Sequence, residues 1–170
     1  MKTLTHVLSV TLLLASSTLG TQAQEPLTLD KKVLTLAAAR KVAAAAEAEA
    51  MARTLGVVIV VVDDAGNVIQ LTRMDSAQVA SVNVGIGKAR TAAIYRRPSR
   101  VFEEQIKNGR VAALALADAT PLQGGVPIVI DGRIVGAVGV SGDSPQADEE
   151  IAIAGAKALE SSRRDTRSER

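Results

Sequence analysis

Three polar side chains recur at intervals of three and four residues near the middle of the chain. They are the amine of Lys88, the hydroxyl of Thr91 and the phenol of Tyr95. Because this spacing places side chains on one face of an α-helix, the three groups are expected to act at the same place. A lysine there can serve as a general base or form a Schiff base with a carbonyl substrate, with Asp75 or Arg73 as its partner.

The helix that carries these groups is predicted over residues 77–95, with Asp75 and Ser76 as its N-terminal cap. Gly85 and Gly87 lie inside it, and each glycine costs about 1 kcal/mol relative to alanine in a helix interior. Such a pair indicates the close approach of another backbone or of a flat ligand. A kink or a helix-packing contact is the alternative explanation.

Two β-hairpins are predicted on either side of this helical region. Residues 57–62 form a β-branched run that is typical of a strand buried on both faces, and residues 68–74 form the return strand. In the second hairpin, residues 128–130 and 133–140 flank the tight-turn pair Asp131-Gly132. Each hairpin joins antiparallel strands, so the sheet is expected to be antiparallel or mixed.

Three further helices are predicted from apolar spacing and capping residues. They cover residues 36–55 after the cap Thr35, residues 100–107, and a segment that starts at Pro145. Residues 111–120 are expected to be irregular or partly helical. The order of helix, hairpin, helices, hairpin and helix predicts an α/β (α+β) fold in which helices cover the sheet.

The composition suits one domain that does not bind nucleic acid. The chain has 170 residues, enough for one ordinary domain. Its formal net charge of +2 is too small for a general nucleic-acid-binding surface. It contains no cysteine, so no disulfide stabilises the fold.

The N-terminal residues 1–23 have the pattern of a secretory signal peptide, with Lys2 ahead of an apolar stretch and cleavage expected near Ala23. The mature protein is therefore predicted to be periplasmic or secreted, without a stable membrane anchor. Cleavage removes His6, the single histidine. Its loss, with the absence of cysteine, excludes Ser-His-Asp and Cys-His catalysis and imidazole or thiolate metal sites.

The rest of the chain divides into three predicted parts, with a polar lead-in at residues 24–33, a folded domain at 34–160 and a disordered charged tail at 161–170.

Asp148 and Glu149 stand near the start of the last helix. Acidic residues there complement the helix dipole. They are also oxygen ligands of the kind that a hard cation prefers.

Eight short motifs follow one another in a fixed order between residues 34 and 159. They are LTL (34–36), VVDDAG (61–66), RMD (73–75), KARTA (88–92), RP (97–98), GGVPI (124–128), GAVGVSG (136–142) and DEE (148–150). Together they resemble the GlcG/HbpS family of haem-binding proteins, which is also represented by the C-terminal domain of PduO.

This resemblance implies a profilin-like core, in which a five-stranded sheet has helices on both faces. It also implies haem as the cofactor and assembly into homo-oligomers, often octamers. For exported members it implies a role in haem sequestration or redox sensing. We therefore expect an exported haem-binding protein rather than an enzyme.

A haem site needs a smooth apolar slot, cations for the two propionates and, optionally, an axial ligand. The predicted slot is the helix face of Lys88, Thr91 and Tyr95, where Gly87 leaves room for a flat ring. Gly124 and Gly125 are expected to form a backbone wall beside it.

The propionates and the iron require further residues. Arg73 is expected to reach a propionate. Because the mature chain has no histidine, the predicted iron ligand is Tyr95, and the neighbouring Arg96 and Arg97 favour its phenolate form. The other candidates are the sulfur of Met51 or Met74, the amine of Lys88 and the weak hydroxyl of Thr91.

Two other interpretations of the same residues stay open. In the first, Lys88 is the catalytic residue of an enzyme that breaks down haem or acts on a small metabolite. In the second, the helix face is an interface in an oligomeric structural protein that holds no ligand.

Overall fold

The computed structural model describes residues 25–168, with side chains described as far as residue 160. The predicted signal peptide and His6 lie outside the described residues. Residues 25–31, within the predicted lead-in, contain no helix or strand and form a unit of their own. The second unit begins at Lys32 and contains all the elements given below.

One antiparallel sheet forms the centre of this second unit, and its strand order is β2-β1-β4-β3. The strands are β1 (Val58–Asp63), β2 (Val68–Arg73), β3 (Gly125–Ile130) and β4 (Arg133–Ser141). Both predicted hairpins are confirmed, because β1 pairs with β2 and β3 pairs with β4. The two hairpins join where β1 pairs with β4.

The prediction of five strands is wrong for the described residues, in which the sheet has four. The chain between the two hairpins supplies helices, the last of which is a short 3₁₀ helix at Val111–Ala115. Alanine is rare in strands and frequent in helices, and this segment is rich in it. The finer description of the fold as profilin-like stays a prediction.

Four α-helices pack around the sheet: α1 (Leu36–Ala52), α2 (Ser81–Ile94), α3 (Arg100–Lys107) and α4 (Pro145–Ser168). Among the described residues, no helix is both long enough and apolar enough to span a bilayer. The predicted cap of α1 is confirmed, since the Thr35 hydroxyl accepts a hydrogen bond of 3.1 Å from the Ala38 amide. The helix ends at Ala52, before the predicted residue 55, because Thr54 takes a left-handed conformation with φ of 58°.

The start of α2 also differs from the prediction, whereas the start of α4 agrees with it. Helix α2 begins at Ser81, and Asp75 and Ser76 do not cap it, because residues 75–80 form turns ahead of the helix. Helix α4 starts at Pro145 as predicted, but its backbone stays helical to Ser168. The segment 161–170 as a charged tail stays a prediction.

The two faces of the sheet have separate cores, because successive side chains of β1 point in opposite directions. Ile59 and Val61 face α1 and α4, whereas Val58, Val60 and Val62 face α2. All five are fully buried, as expected for a central β-branched strand. Helices on both faces of the sheet are thus confirmed.

Helix α2 lies very close to the sheet, and glycines make this possible. A Cβ atom at Gly85 would come within 3.3 Å of the Val60 side chain, and one at Gly139 within 2.4 Å of the Gly85 carbonyl oxygen. Gly85 therefore serves helix packing, which was the alternative explanation for the glycine pair. The helix covers β1, β4 and β3.

Candidate functional site

The side of α2 that faces β3 carries Lys88, Thr91 and Tyr95, as their spacing predicts. The three side chains do not share one environment. Lys88 points to α4 and to the end of β4, whereas Thr91 and Tyr95 contact the backbone of residues 117–120, called here the 117–120 segment. This side of the helix therefore has two ends with different neighbours.

Lys88 is held inside the protein by two oxygen acceptors. Its Nζ donates to Asp148 Oδ2 at 2.6 Å and to the Val140 carbonyl at 3.0 Å, and Lys88 is only 4% exposed. The other carboxylate oxygen of Asp148 accepts a hydrogen bond from the Asp143 amide at 3.0 Å. This buried ion pair connects α2 to the first turn of α4.

The buried position of the Asp148 carboxyl group shifts its pKa. Burial raises its pKa above the ordinary value, and the hydrogen bond and positive charge of Lys88 only partly oppose this effect. The pair therefore carries a desolvation cost, and either charge would be left buried alone if its partner were removed.

Gly124 and Gly125 enclose the lysine so closely that side chains are excluded. A Cβ atom at Gly124 would lie 2.9 Å from Lys88 Nζ, and the residue has a left-handed φ of 125°. A Cβ atom at Gly125 would lie 2.1 Å from the Lys88 carbonyl oxygen. Both glycines are buried. They form a backbone wall as predicted, but the wall packs against Lys88 itself.

A network of polar side chains fixes the loop that carries these glycines. The Ser99 hydroxyl donates to the Leu122 carbonyl at 2.6 Å and accepts from the Gly125 amide at 2.8 Å. Glu149 accepts from the Gln123 side chain at 2.8 Å, and Glu103 accepts from the Gln123 amide at 2.6 Å. The loop therefore has several anchors on α3 and α4.

The pKa of Glu103 is shifted in the opposite direction to that of Asp148. Burial alone would raise the pKa of Glu103, but hydrogen bonds from the Lys107 ammonium and the Gln123 amide outweigh burial, so the pKa lies below its ordinary value. The ionised form of Glu103 is thus the one that holds the loop.

Thr91 is completely buried and its hydroxyl makes two short hydrogen bonds. It donates to the Gly87 carbonyl at 2.7 Å, within α2, and accepts from the Thr120 amide at 2.7 Å. Gly87 also faces this segment, because a Cβ atom there would meet the Thr120 hydroxyl at 2.1 Å. The space predicted for a flat ring beside Gly87 is therefore filled by the chain itself.

Tyr95 lies at the open end of this side of α2. It is half-buried, its hydroxyl donates to the Ala117 carbonyl at 2.7 Å, and its ring packs edge-to-face on Phe102 with centroids 5.1 Å apart. The guanidinium of Arg97 lies 5.9 Å from the centre of the Phe102 ring. Arg96 and Arg97 are both exposed.

The 3₁₀ helix beside Tyr95 exposes large aliphatic side chains. It packs on α3, the helix that contains Phe102, and it ends two residues before Ala117. Val111 and Leu114 are 65% and 66% exposed. Because side chains three residues apart eclipse one another in a 3₁₀ helix, these two share one side.

Arg73 and Met74 are not brought together with the other predicted residues. Arg73 is the last residue of β2, which forms one edge of the sheet, and Met74 follows it, whereas Gly125 begins β3 at the opposite edge. Three strand spacings, about 14 Å, separate these edges. Arg73 is exposed, and Met74 packs against the core on the α1 and α4 face.

Sequence reasoning missed the partner of Lys88 and the residues that support Tyr95. Asp148 was interpreted as a complement to a helix dipole, and it lies 60 residues from Lys88, so no spacing pattern joins them. Phe102 is the single phenylalanine of the chain and lies seven residues after the single tyrosine. Because the chain is so poor in aromatic residues, the short distance between these two in the sequence could have indicated that their rings are in contact.

Comparisons with known proteins agree with this architecture. Residues 34–157 match the model of the family described as haem degrading protein HbpS-like. Protein GlcG of Escherichia coli K12 is 42% identical over 111 residues, which cover 65% of this chain and 83% of GlcG. An uncharacterized 15.0 kDa protein of Citrobacter freundii is 38% identical over 125 residues, covering 70% of this chain and 87% of that protein.

Solved structures have the same fold. Klebsiella pneumoniae protein ORFY superposes with a TM-score of 0.76 at 29% identity, covering 81% of this chain and 98% of ORFY. A double mutant of Streptomyces reticuli HbpS gives a TM-score of 0.73 at 31% identity, covering 81% of this chain and 94% of HbpS. The PduOC:heme complex, at 24% identity, has a TM-score of 0.68 and covers 75% of this chain and 95% of PduOC.

Proposed function

Because the chain belongs to the HbpS-like family, we propose that it is an exported homo-oligomeric protein that binds haem or a related tetrapyrrole and acts in haem sequestration or sensing. The family is described as haem-degrading. Lys88, the residue that the sequence offers for catalysis, is enclosed and donates to Asp148 and the Val140 carbonyl. Binding is therefore the role for which the described residues give better support.

The predicted slot around Lys88 does not fit a haem within one chain. Lys88 and Thr91 are buried, and their polar atoms are hydrogen-bonded to the protein itself. Gly124 and Gly125 pack directly on the lysine. A planar ligand would have to displace the loop and break the buried ion pair, so we leave these four residues out of the proposed site.

The end of α2 at Tyr95 does fit such a ligand, and this observation carries the proposal. The half-buried phenol of Tyr95 is followed in the chain by exposed Arg96 and Arg97, and its ring packs on Phe102 of α3. The 3₁₀ helix that exposes Val111 and Leu114 packs on the same α3. A tyrosine oxygen is a known protein ligand for haem iron. The arginines match the propionates, and the aliphatic side chains match the apolar ring.

When bound, the haem would supply a redox-active iron in a flat apolar ring. The chain's own contribution would be to orient it: Tyr95 would offer its oxygen once the hydroxyl proton, now donated to the Ala117 carbonyl, is released to solvent, and the arginines would fix the end that carries the carboxylates. Arg73 is no part of this site, because it stands at the far edge of the sheet. Met74 is directed into the core on the other face of the sheet and is left out for the same reason.

A titration of the purified protein with hemin, followed by its visible absorption spectrum, tests the proposal. We expect a shifted Soret band for the native chain and about tenfold weaker binding for Tyr95→Phe, which keeps the ring but removes the ligand oxygen. Leu114→Ser should weaken binding about fivefold by removing exposed apolar surface.

The matched control for Leu114→Ser is Val79→Ser, since Val79 is 80% exposed but lies before α2, at the other end from Tyr95. It should bind hemin like the native chain. A native spectrum no different from that of hemin with an inert protein would reject haem binding. Equal weakening by both serine variants would reject the proposed location.

A further inference from the structure

Three side chains at the C-terminal end of α2 contact the 117–120 segment. The Tyr95 hydroxyl donates to the Ala117 carbonyl, Thr91 accepts from the Thr120 amide, and Arg90 lies 3.7 Å from the Asp118 carboxylate. The segment is therefore held from one side, by residues spread over little more than one turn of the helix.

Thr91 is the strongest of these anchors. Its hydroxyl is fully buried and satisfied on both sides, whereas the side chains of Arg90 and Asp118 are 45% and 62% exposed. Exposed ion pairs at this distance contribute little. A buried hydroxyl that accepts from a backbone amide is worth more, because its loss leaves that amide without a partner.

The segment does not hold its shape by local preference alone. Asp118 has a φ of 56°, in the left-handed region that is uncommon for residues other than glycine. A conformation of this kind persists where surrounding contacts determine it. The contacts here are the turn hydrogen bond of 3.3 Å from the Ala119 amide to the Leu116 carbonyl, together with those from α2.

From these contacts we infer that Thr91 is a positioning residue for Tyr95. The inference rests on the proposed function in so far as Tyr95 presents its oxygen to a ligand. Thr91 fixes the 117–120 segment, the Ala117 carbonyl within that segment orients the Tyr95 hydroxyl, and the phenol is thereby held at the rim of α2. Thr91 acts through Tyr95 and does not itself touch the ligand.

The test compares Thr91→Val, which keeps the shape of the side chain but removes the hydroxyl, with Thr91→Ser, which keeps the hydroxyl. The near-ultraviolet circular dichroism of tyrosine is a specific readout, because the chain has one tyrosine and no tryptophan. We expect Thr91→Val to lose most of this signal and to bind hemin about fivefold more weakly. Thr91→Ser should restore both.

Ser99→Ala is the matched control. It also removes a buried hydroxyl that binds loop backbone, but its partners are Leu122 and Gly125, so the tyrosine signal should stay native. Gly87→Ala provides a second perturbation if Thr91→Val does not fold. Its methyl group would push on Thr120 from α2, and we expect the same loss of the tyrosine signal.

A native tyrosine signal in both Thr91→Val and Gly87→Ala would overturn the inference, as would an equal loss in Ser99→Ala. The failure of haem binding would be seen separately. A native chain that does not bind hemin rejects the proposed function, whereas the circular dichroism of the variants still decides whether Thr91 positions Tyr95.

Discussion

The two ends of one helix side show how similar polar residues are used differently. At the first end, Lys88 is covered by Gly124 and Gly125 and paired with Asp148 in the interior. At the second end, Tyr95 stays half-buried, with one hydrogen bond to a backbone carbonyl. The two ends differ in burial because different elements pack against α2 at each end. Helix α4 and a glycine loop close the first end, and the 3₁₀ helix leaves the second partly open.

This contrast separates stability from recognition. A charge that is buried with its partner holds elements together but has little access to a ligand. A polar group at a rim contributes little to stability but can exchange its partner. We therefore expect large effects on folding at the Lys88 end and small ones at the Tyr95 end, where the effects on binding should concentrate.

The largest expected effect comes from breaking the buried pair. Lys88→Met should lower the free energy of unfolding by about 3–5 kcal/mol, because it leaves the Asp148 carboxylate buried alone. Urea denaturation measures this loss. Adding Asp148→Leu should recover most of it, since an apolar pair of similar size carries no desolvation cost.

Lys107→Met is the control for that experiment. Lys107 is paired with Glu103, but its side chain is 64% exposed, so the loss should be much smaller. A loss in Lys88→Met no larger than in this control would remove the distinction between the two ends.

The next effect compares glycines at the two ends. Gly125→Ala should cost about 3 kcal/mol or more, since its methyl group would overlap the Lys88 backbone, which cannot move without shifting α2. Gly87→Ala would meet the hydroxyl and the Cβ of Thr120 at 2.1 and 2.8 Å and so displace that residue, but it leaves the Lys88 backbone untouched and gains helix propensity, so we expect a smaller loss of about 1–2 kcal/mol. Thermal denaturation of both variants measures the difference, and equal losses would contradict the comparison.

Tyr95→Phe should have a small effect on stability. It removes one hydrogen bond from a half-buried group, and we expect a loss of about 1 kcal/mol. Measured by urea denaturation beside the hemin titration, this variant should therefore lose much more in binding than in folding. A loss as large as that of Lys88→Met would show that Tyr95 is a structural residue.

The smallest effect is a pH dependence at the loop between the two ends. Hydrogen bonds hold the pKa of Glu103 below its ordinary value, so its contribution to stability is present above the unfolded pKa and is lost as the pH falls through the folded pKa. The stability difference between the native chain and Glu103→Gln should shrink as the solution is acidified. A difference that stays constant would contradict the assignment.

Asp148 should behave with the opposite sign. Burial raises its folded pKa, so the contribution of this group is present below the unfolded pKa and is lost as the pH rises through the folded pKa. Unfolding measured against pH in Asp148→Asn beside the native chain would separate this contribution from that of Glu103.

The sequence predicted the local elements well and the neighbours of the site poorly. The β-branched run of β1, the Thr35 cap and both hairpins depend on short-range patterns, and all are confirmed. The common side of Lys88, Thr91 and Tyr95 also follows from spacing. The closure of one end by residues that lie far away in the chain could not be predicted, because no local pattern connects Lys88 with Asp148.

The strand count shows the same limit. Five strands were expected from a resemblance, but the chain between the hairpins forms α3 and the 3₁₀ helix. The helix propensity of that alanine-rich segment could be predicted from the sequence, whereas its packing on α3 could not. The exposed side chains of Val111 and Leu114 were not identified from the sequence as a candidate surface.

The most direct test of the central claim is amide hydrogen exchange of the full chain with and without hemin. We expect hemin to slow exchange in residues 95–97 and 111–118, at the Tyr95 end, and to leave residues 122–125 and the start of α4 unchanged. Protection centred on Gly124, Gly125 and Asp148, with none around Tyr95, would show that the ligand enters the closed end and would contradict the account.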